Sequence, residues 1–281
     1  MKFCIIANME IKKNKTYIKY LKEWISNNEK DNTISIAKVE QDKFGNYIYT
    51  NIPNDTDFII ALGGDGTILQ ASQNSIKLNI PIIGFNTGTL GFLSEYKIKN
   101  IKSILLKVLN NEYLIEERMM LEVYDSKNNL LDICLNDIVI AREGFSRIVS
   151  IETKVDDKII NQFRGDGIIV STPTGSTGYN LSLGGPIVSP KAKNIIITPI
   201  ACHSLLSRPI VLSDEENIDI TIMHSRKTQE KEAILTCDGR RNIDLHSGDV
   251  LTVKTSNKKV KLLKITKNNF FEICNEKLKE C

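Results

Sequence analysis

The 281-residue sequence contains no run of about 18 uncharged apolar residues, the length a membrane-spanning helix requires. Its opening stretch, Met1 to Glu10, holds an apolar run too short for a secretory signal. Charge of one sign is also scarce. The net charge is +3, too small for an electrostatic footprint on nucleic acid or an anionic membrane. The six cysteines are scattered, with no CxxC pair, and Cys202 and His203 are adjacent and badly placed to share a metal. The expectation is a reduced, cytoplasmic protein in which no residue stands out as a metal ligand. His224 and His246 belong to no constellation, and no Ser-His-Asp arrangement suggests nucleophilic catalysis. A Walker A sequence is missing, and no GxGxxG opens the first helix, so neither P-loop nor standard dinucleotide-fold chemistry is supported.

Glycine is scarce overall but concentrated. Of 16 glycines, six lie between Gly63 and Gly91 and six between Gly165 and Gly185. Such crowding is what close approach of backbone to a ligand requires. In the region of the first window, short apolar runs alternate with helical spacing. Phe3 to Ala7 reads as a strand, and Tyr17, Tyr20, Leu21, Trp24 and Ile25 as one face of a helix. Ile34 to Val39 reads as a second strand, and Phe58 to Leu62 and Ile80 to Ile83 as buried parallel strands. Ile101 to Leu109 reads as a helix. From about Tyr113 the period changes to short, β-branched stretches separated by Asn, Asp, Gly and Ser, among them Leu130 to Ala141, Arg147 to Val155 and Gly167 to Ser171. These patterns predict a Rossmann-like α/β domain over residues 1–110 and a β-rich, sandwich-like domain over 111–261, with the tail 262–281 returning to the first.

Gly63-Gly64-Asp65-Gly66-Thr67 follows an apolar strand and precedes a helix. There, glycines let main-chain N–H groups approach an anion, and the helix start adds its positive end. A carboxylate at such a tip is costly beside phosphate unless it takes a proton or holds a metal. Asp65 is therefore a candidate general base for a hydroxyl attacking a phosphoryl group; the plainer alternative is an Asp that caps the helix. The second cluster runs from Arg164-Gly165-Asp166-Gly167 through Thr172-Pro173-Thr174-Gly175-Ser176-Thr177-Gly178-Tyr179 to Gly184-Gly185-Pro186. Its hydroxyls offer donors to ribose or phosphate, and Tyr179 a face for a flat ring.

These motifs resemble those of the NAD kinases. Gly63 to Thr67 is similar to that family's signature loop, which diacylglycerol, sphingosine and 6-phosphofructokinases share. Asn86 to Leu93 resembles its NTGxLGFL element, Asp166 to Pro186 its DGxxxSTPTGSTxYxxSxGGP, and Pro199 to Pro209 its PIxxHSLxxRP; Asp238-Gly239 resembles a later element. The resemblance implies an NAD kinase-like fold and transfer of the γ-phosphoryl of ATP, or of polyphosphate, to the adenosine ribose 2′-hydroxyl of NAD. A divalent cation, Mg2+ above others, would assist. Carried across residue by residue, it makes Asp65 the base and places Gly66 beside the dinucleotide. Asn136-Asp137 stands where the family has Asn-Glu, one methylene shorter, to hold ribose hydroxyls and ring edges. Arg147, Arg164, Asp166 and the run Thr177, Gly178, Tyr179, Asn180, Leu181 and Ser182 fall in the nucleotide pocket. His203 either contacts ligand or orients its turn. The two glycine windows then imply one cleft, and the family suggests a homodimer or homotetramer with sites completed by a neighbour. Two alternatives stand beside this reading: a diacylglycerol-type lipid kinase sharing the loop, and a dinucleotide-binding regulator without catalysis.

Overall fold

Strand β1 (Lys2–Ala7) is buried from Phe3 to Ala7 and starts the first of two compact units, Met1–Arg118 with Val260–Cys281. The computed structural model describes residues 1–9, 11–28, 32–42, 45–88, 91–142, 148–202, 208–223, 232–265 and 270–278. Helix α1 (Lys12–Asn28) buries Ile18, Leu21 and Ile25, with Tyr17 and Trp24 packed beside them, as their three- and four-residue spacing predicts. The single strand expected over Ile34 to Val39 is two. Strand β2 (Thr33–Ile36) pairs with β1, while β3 (Lys38–Gln41) forms a separate hairpin with β4 (Tyr47–Thr50). The break falls at buried Ala37, whose N–H still bonds to Ile5 at 3.0 Å.

Strand β5 (Phe58–Leu62) is buried throughout and leads into helix α2 (Asp65–Leu78). Strand β6 (Ile82–Asn86), the short β7 (Tyr96–Lys97), helix α3 (Ile101–Leu109) and β8 (Leu114–Arg118) complete this run. Strands β1, β2, β5 and β6 are mutually parallel; β1, β5 and β6, inside the sheet, are covered on both faces and read as continuous apolar runs, while β2 at the edge is only half-buried.

The second unit, Met119–Lys259, is all antiparallel β. Its strands are β9 (Leu121–Tyr124), β10 (Leu130–Cys134), β11 (Asp137–Arg142), β12 (Val149–Val155), β13 (Lys158–Gly165) and β14 (Gly167–Ser171). The one-turn helix α4 (Tyr179–Ser182) precedes β15 (Asn194–Ile200), β16 (Ile210–Ser213), β17 (Ile218–Met223), β18 (Ala233–Cys237), β19 (Arg240–Leu245) and β20 (Val250–Thr255). They make two six-stranded sheets, ordered β10-β9-β20-β17-β12-β13 and β16-β15-β14-β11-β18-β19. In the first sheet β12 and β17 alternate buried and half-buried residues. Their inward side chains, such as Ile151 and Ile220, share one core with Ile140 and Ile168 of the second sheet. Each such side chain contributes roughly 1.5–3 kcal/mol by leaving water.

The second sheet is covered on its other face too. Val139, Ile169 and Ile200 pack there with Leu183, which anchors the segment after β14. The strand expected over Leu130 to Ala141 is divided at Leu135-Asn136, and its halves belong to different sheets. That division lifts Asn136 out of a ladder and into a turn.

Finally β21 (Val260–Lys264) rejoins the first unit between β6 and β8, giving the order β2-β1-β5-β6-β21-β8, with β7 beside β6. Lys264 there is buried and ion-paired with Glu95, and burial pushes its amine below the ordinary lysine range against the pull of that carboxylate. The apolar tail from Phe270 is a helix, α5 (Phe270–Leu278). No helix among the described residues is long and apolar enough to cross a membrane.

Candidate active site

Leu62 at the end of β5 lies beside Phe85 near the end of β6, so the loops that follow these parallel strands leave the sheet side by side. The carboxylate of Asp65 joins them. Oδ2 accepts the N–H of Phe92 at 2.8 Å; Oδ1 accepts the N–H groups of Leu93 and Ser94 and the hydroxyl of Ser94, each at 3.0 Å. Gly64, not Asp65, is the N-cap of α2, and the Asp65 side chain reaches to the neighbouring loop. Gly91 explains why that loop must approach without a side chain: a Cβ there would stand 1.8 Å from Asp65 Oδ1. Asp65 remains half-buried, and Gly66 beside it is exposed. The unit thus holds a half-buried and therefore reachable carboxylate at the positive end of a helix.

In the second unit the turn before β11 ends at Asn136, and Asp137 opens the strand. Asp238 supports the turn. Its side chain, 0% exposed, accepts the N–H groups of Leu135 at 2.9 Å, Asn136 at 2.7 Å and Asp137 at 3.3 Å. Asp238 and Gly239 both have positive φ, 49° and 67°, as an Asp-Gly hairpin turn between β18 and β19 requires. Arg240, one step further, lies 3.5 Å from Asp238 and donates to the carbonyl of Ile133 at 3.0 Å. Burial pushes Asp137 up to about 7, and the neighbouring charge of Asp238 adds to the shift. Burial also raises Asp238, against the opposing pull of Arg240 and the three N–H donors.

The hydroxyl-rich segment folds onto this turn. Gly175 is pressed to it, since a Cβ there would meet the Asn136 carbonyl oxygen at 2.1 Å. Thr172 donates to the Leu135 carbonyl at 2.6 Å, and Ser176 to that of Pro173 at 2.7 Å. These hydroxyls therefore hold backbone, that of the turn and that of the segment itself. Asn180 is fully buried, its amide reaching the carbonyls of Ser176 and Pro186 at 3.2 Å and accepting Thr198 at 2.6 Å. What faces outward is Tyr179, 46% exposed, with Ser182 exposed and Thr177, Gly178 and Leu181 half-buried. A Cβ on Gly178 would lie 3.4 Å from Asn136 Nδ2 and 3.6 Å from Asp137 Oδ2. Asn136 Oδ1 is buried and meets no hydrogen-bond partner among the described residues.

Asp166 and Arg164 sit elsewhere. Asp137 pairs with Ser171 and Ala141 with Gly167, so Asp166 lies at the opposite end of the β11–β14 ladder, some 17 Å away at about 3.4 Å per residue. There it is ion-paired with Arg142 at 2.6 Å, while Arg164 is exposed on β13. Arg147 and His203 lie outside the described residues. Sequence reasoning passed over Arg142, one residue beyond the expected strand, and Ser94, one beyond the NTGxLGFL resemblance. It assigned no role to Asp238, although Asp-Gly between two apolar stretches is a strong hairpin signal.

The description "ATP-NAD kinase N-terminal domain" matches residues 5–113, and "ATP-NAD kinase C-terminal domain" matches residues 135–265. The chain belongs to the NAD kinase family. The NAD kinase of Lachnoclostridium phytofermentans is 43% identical over 282 residues, 98% of each chain. That of Ruminiclostridium cellulolyticum is 37% identical over 287 residues, 99% of this chain and 98% of the other. Among solved structures, yeast NADH kinase complexed with NADH matches with a TM-score of 0.84 at 26% identity, over 99% of this chain and 87% of that one. An NAD kinase from Archaeoglobus fulgidus in complex with ATP matches with a TM-score of 0.74 at 25% identity over the whole of both chains. The α/β unit and the antiparallel β unit are the NAD kinase fold that the sequence led us to expect. Asp65 and the Asn136-Asp137 turn fall within the N-terminal and C-terminal NAD kinase matches respectively.

Proposed function

We propose that this enzyme transfers the γ-phosphoryl group of ATP to the 2′-hydroxyl of the adenosine ribose of NAD, giving NADP and ADP. The observation that carries the reading is the Asp65 carboxylate, fixed by four donors at a helix start yet reachable. Asp65 takes the proton of the 2′-hydroxyl as its oxygen bonds to phosphorus, and the bond to the ADP oxygen breaks. Little covalent help is needed, so positioning and charge supply the rest. Asn136 and Asp137 hold ribose hydroxyls and ring edges. Asn136 Oδ1, buried and without a donor among the described residues, supports this, because a buried acceptor is normally satisfied. Tyr179 stacks on a base, Gly66 contacts the dinucleotide, and Thr177, Gly178, Leu181 and Ser182 line the pocket that Asn180 braces from beneath.

Among the described residues no three His, Cys, Asp or Glu side chains gather as a metal cage. Magnesium carried on a triphosphate is held largely by waters and phosphate oxygens and needs no such cage, so this residue set is compatible with it. When bound, it would neutralise charge on the phosphoryl oxygens. We place the enzyme in the cytoplasm, a reading supported by the five free cysteines among the described residues. We further infer a homodimer or homotetramer in which Asp166 and Arg164 of one copy serve the pocket of another, supported by their distance from Asp137; light scattering after size exclusion tests it, and a monomer at working concentration refutes it.

The function is tested by incubating the protein with NAD, ATP and magnesium and following product with an NADP-specific dehydrogenase. NADP formation is expected, with polyphosphate as a second donor arm and NADH as a second acceptor arm. Absence of product, together with phosphorylation of diacylglycerol, would replace this reading with the lipid-kinase one.

A further inference from the structure

The two oxygens of Asp65 are not equivalent, and two buried side chains make them so. Asn86, the last residue of β6, is 3% exposed; its Oδ1 accepts the N–H of Gly88 at 2.7 Å, which fixes its Nδ2 toward Ser94 Oγ at 2.9 Å. Ser94 is 0% exposed. Because its oxygen already accepts from Asn86, its proton is directed at Asp65 Oδ1, 3.0 Å away. With the N–H groups of Leu93 and Ser94, that makes, among the described residues, three donors on Oδ1 and one, Phe92, on Oδ2. A carboxylate oxygen offers about two acceptor directions, so Oδ1 is saturated and Oδ2 keeps one that no described residue fills.

We propose that Ser94, oriented by Asn86, is a positioning residue that occupies Oδ1 of Asp65 and reserves Oδ2 to take the proton of the acceptor hydroxyl. This rests on Asp65 acting as the base. The step balances: the hydroxyl proton passes to Oδ2, its oxygen bonds to phosphorus, and the phosphorus bond to ADP breaks with the electron pair leaving on ADP. The buried pair of Glu95 with Lys264 holds the chain immediately after Ser94 to β21, so the serine does not depend on its hydroxyl for its place.

The test is steady-state kinetics of Ser94→Ala, Ser94→Thr and Asn86→Ala beside Asp65→Asn, with NAD binding by calorimetry and melting temperature for each. Ser94→Ala should lower kcat about tenfold, the lower end for a hydrogen bond to a charged group. KM for NAD and the melting temperature should stay near wild type, and Ser94→Thr should restore most of kcat. Asn86→Ala should lower kcat less, with no further loss when combined with Ser94→Ala, since both act through one hydroxyl. Wild-type kcat in Ser94→Ala alongside an inactive Asp65→Asn overturns this inference and leaves the base intact. So does a kcat loss that disappears when rates are scaled to NAD-binding sites. An active Asp65→Asn instead removes the base reading. If Ser94→Ala does not fold, Ser94→Cys replaces it, with the same tenfold loss expected and wild-type kcat overturning the idea.

Discussion

Asp65 in the first unit and Asp238 in the second each draw consecutive backbone N–H groups of a neighbouring loop onto one carboxylate. Asp65 gathers Phe92, Leu93 and Ser94; Asp238 gathers Leu135, Asn136 and Asp137. The surroundings differ. Asp238 is wholly buried and backed by Arg240, whereas Asp65 is half-buried at a helix start, with a hydroxyl as its fourth donor. A carboxylate with a cation behind it and no access to solvent can only shape the turn it holds. One with an accessible oxygen can also exchange a proton. The same device therefore serves as a pin in one unit and, in our reading, as a reacting group in the other.

The largest expected effect separates the two roles. Asp65→Asn should lose about a thousandfold in kcat, within the range for removing a general base, while calorimetry shows NAD affinity within about threefold of wild type. Equal losses in both would make Asp65 a pin like Asp238. Asp238→Asn should instead cost stability, about 3 kcal/mol for breaking a buried, hydrogen-bonded charge, read from urea unfolding. It should weaken NAD binding because the Asn136-Asp137 turn loosens, yet leave kcat at saturation within a few fold.

Asp137 sharpens the contrast through pH. Its carboxyl is pushed from 3.8 up to about 7, chiefly by burial and then by Asp238. The native state thus holds this proton more tightly than the unfolded chain. Its contribution to stability is fully present below about 4 and is lost as pH rises through about 7, by up to about 4 kcal/mol. Asp137→Asn should then outlast wild type in denaturant at pH 8, with the advantage shrinking toward pH 4. If the ionised form accepts ribose hydroxyls, wild-type NAD affinity should rise from pH 6 to pH 8 and that of the variant stay flat. Smallest is Arg164→Ala, exposed at the far end of the sheet, where KM for NAD should rise about threefold with kcat and stability unchanged.

Much of the fold was legible where local pattern and burial agree. Phe58 to Leu62 could only be a strand covered on both faces, and the face from Tyr17 to Ile25 only a helix. Leu130 to Ala141 misled because an apolar run does not announce that its halves belong to different sheets; the turn at Asn136 depends on Asp238, about a hundred residues later. Asp65 was readable from its loop, since glycines around a carboxylate between strand and helix have few other uses. Its donors were not, because they arise from β5 and β6 lying side by side. The hydroxyls of Thr172 and Ser176 were open to two readings in the sequence, and tertiary packing turned them inward.

Phosphorus NMR of the dinucleotide formed from NAD and ATP tests the central claim most directly. The account predicts a new monoester resonance from the adenosine ribose 2′-position, equimolar with ADP and absent when Asp65→Asn replaces the wild-type protein. ADP accumulating without that resonance, or a phosphate on any other hydroxyl of NAD, would contradict it.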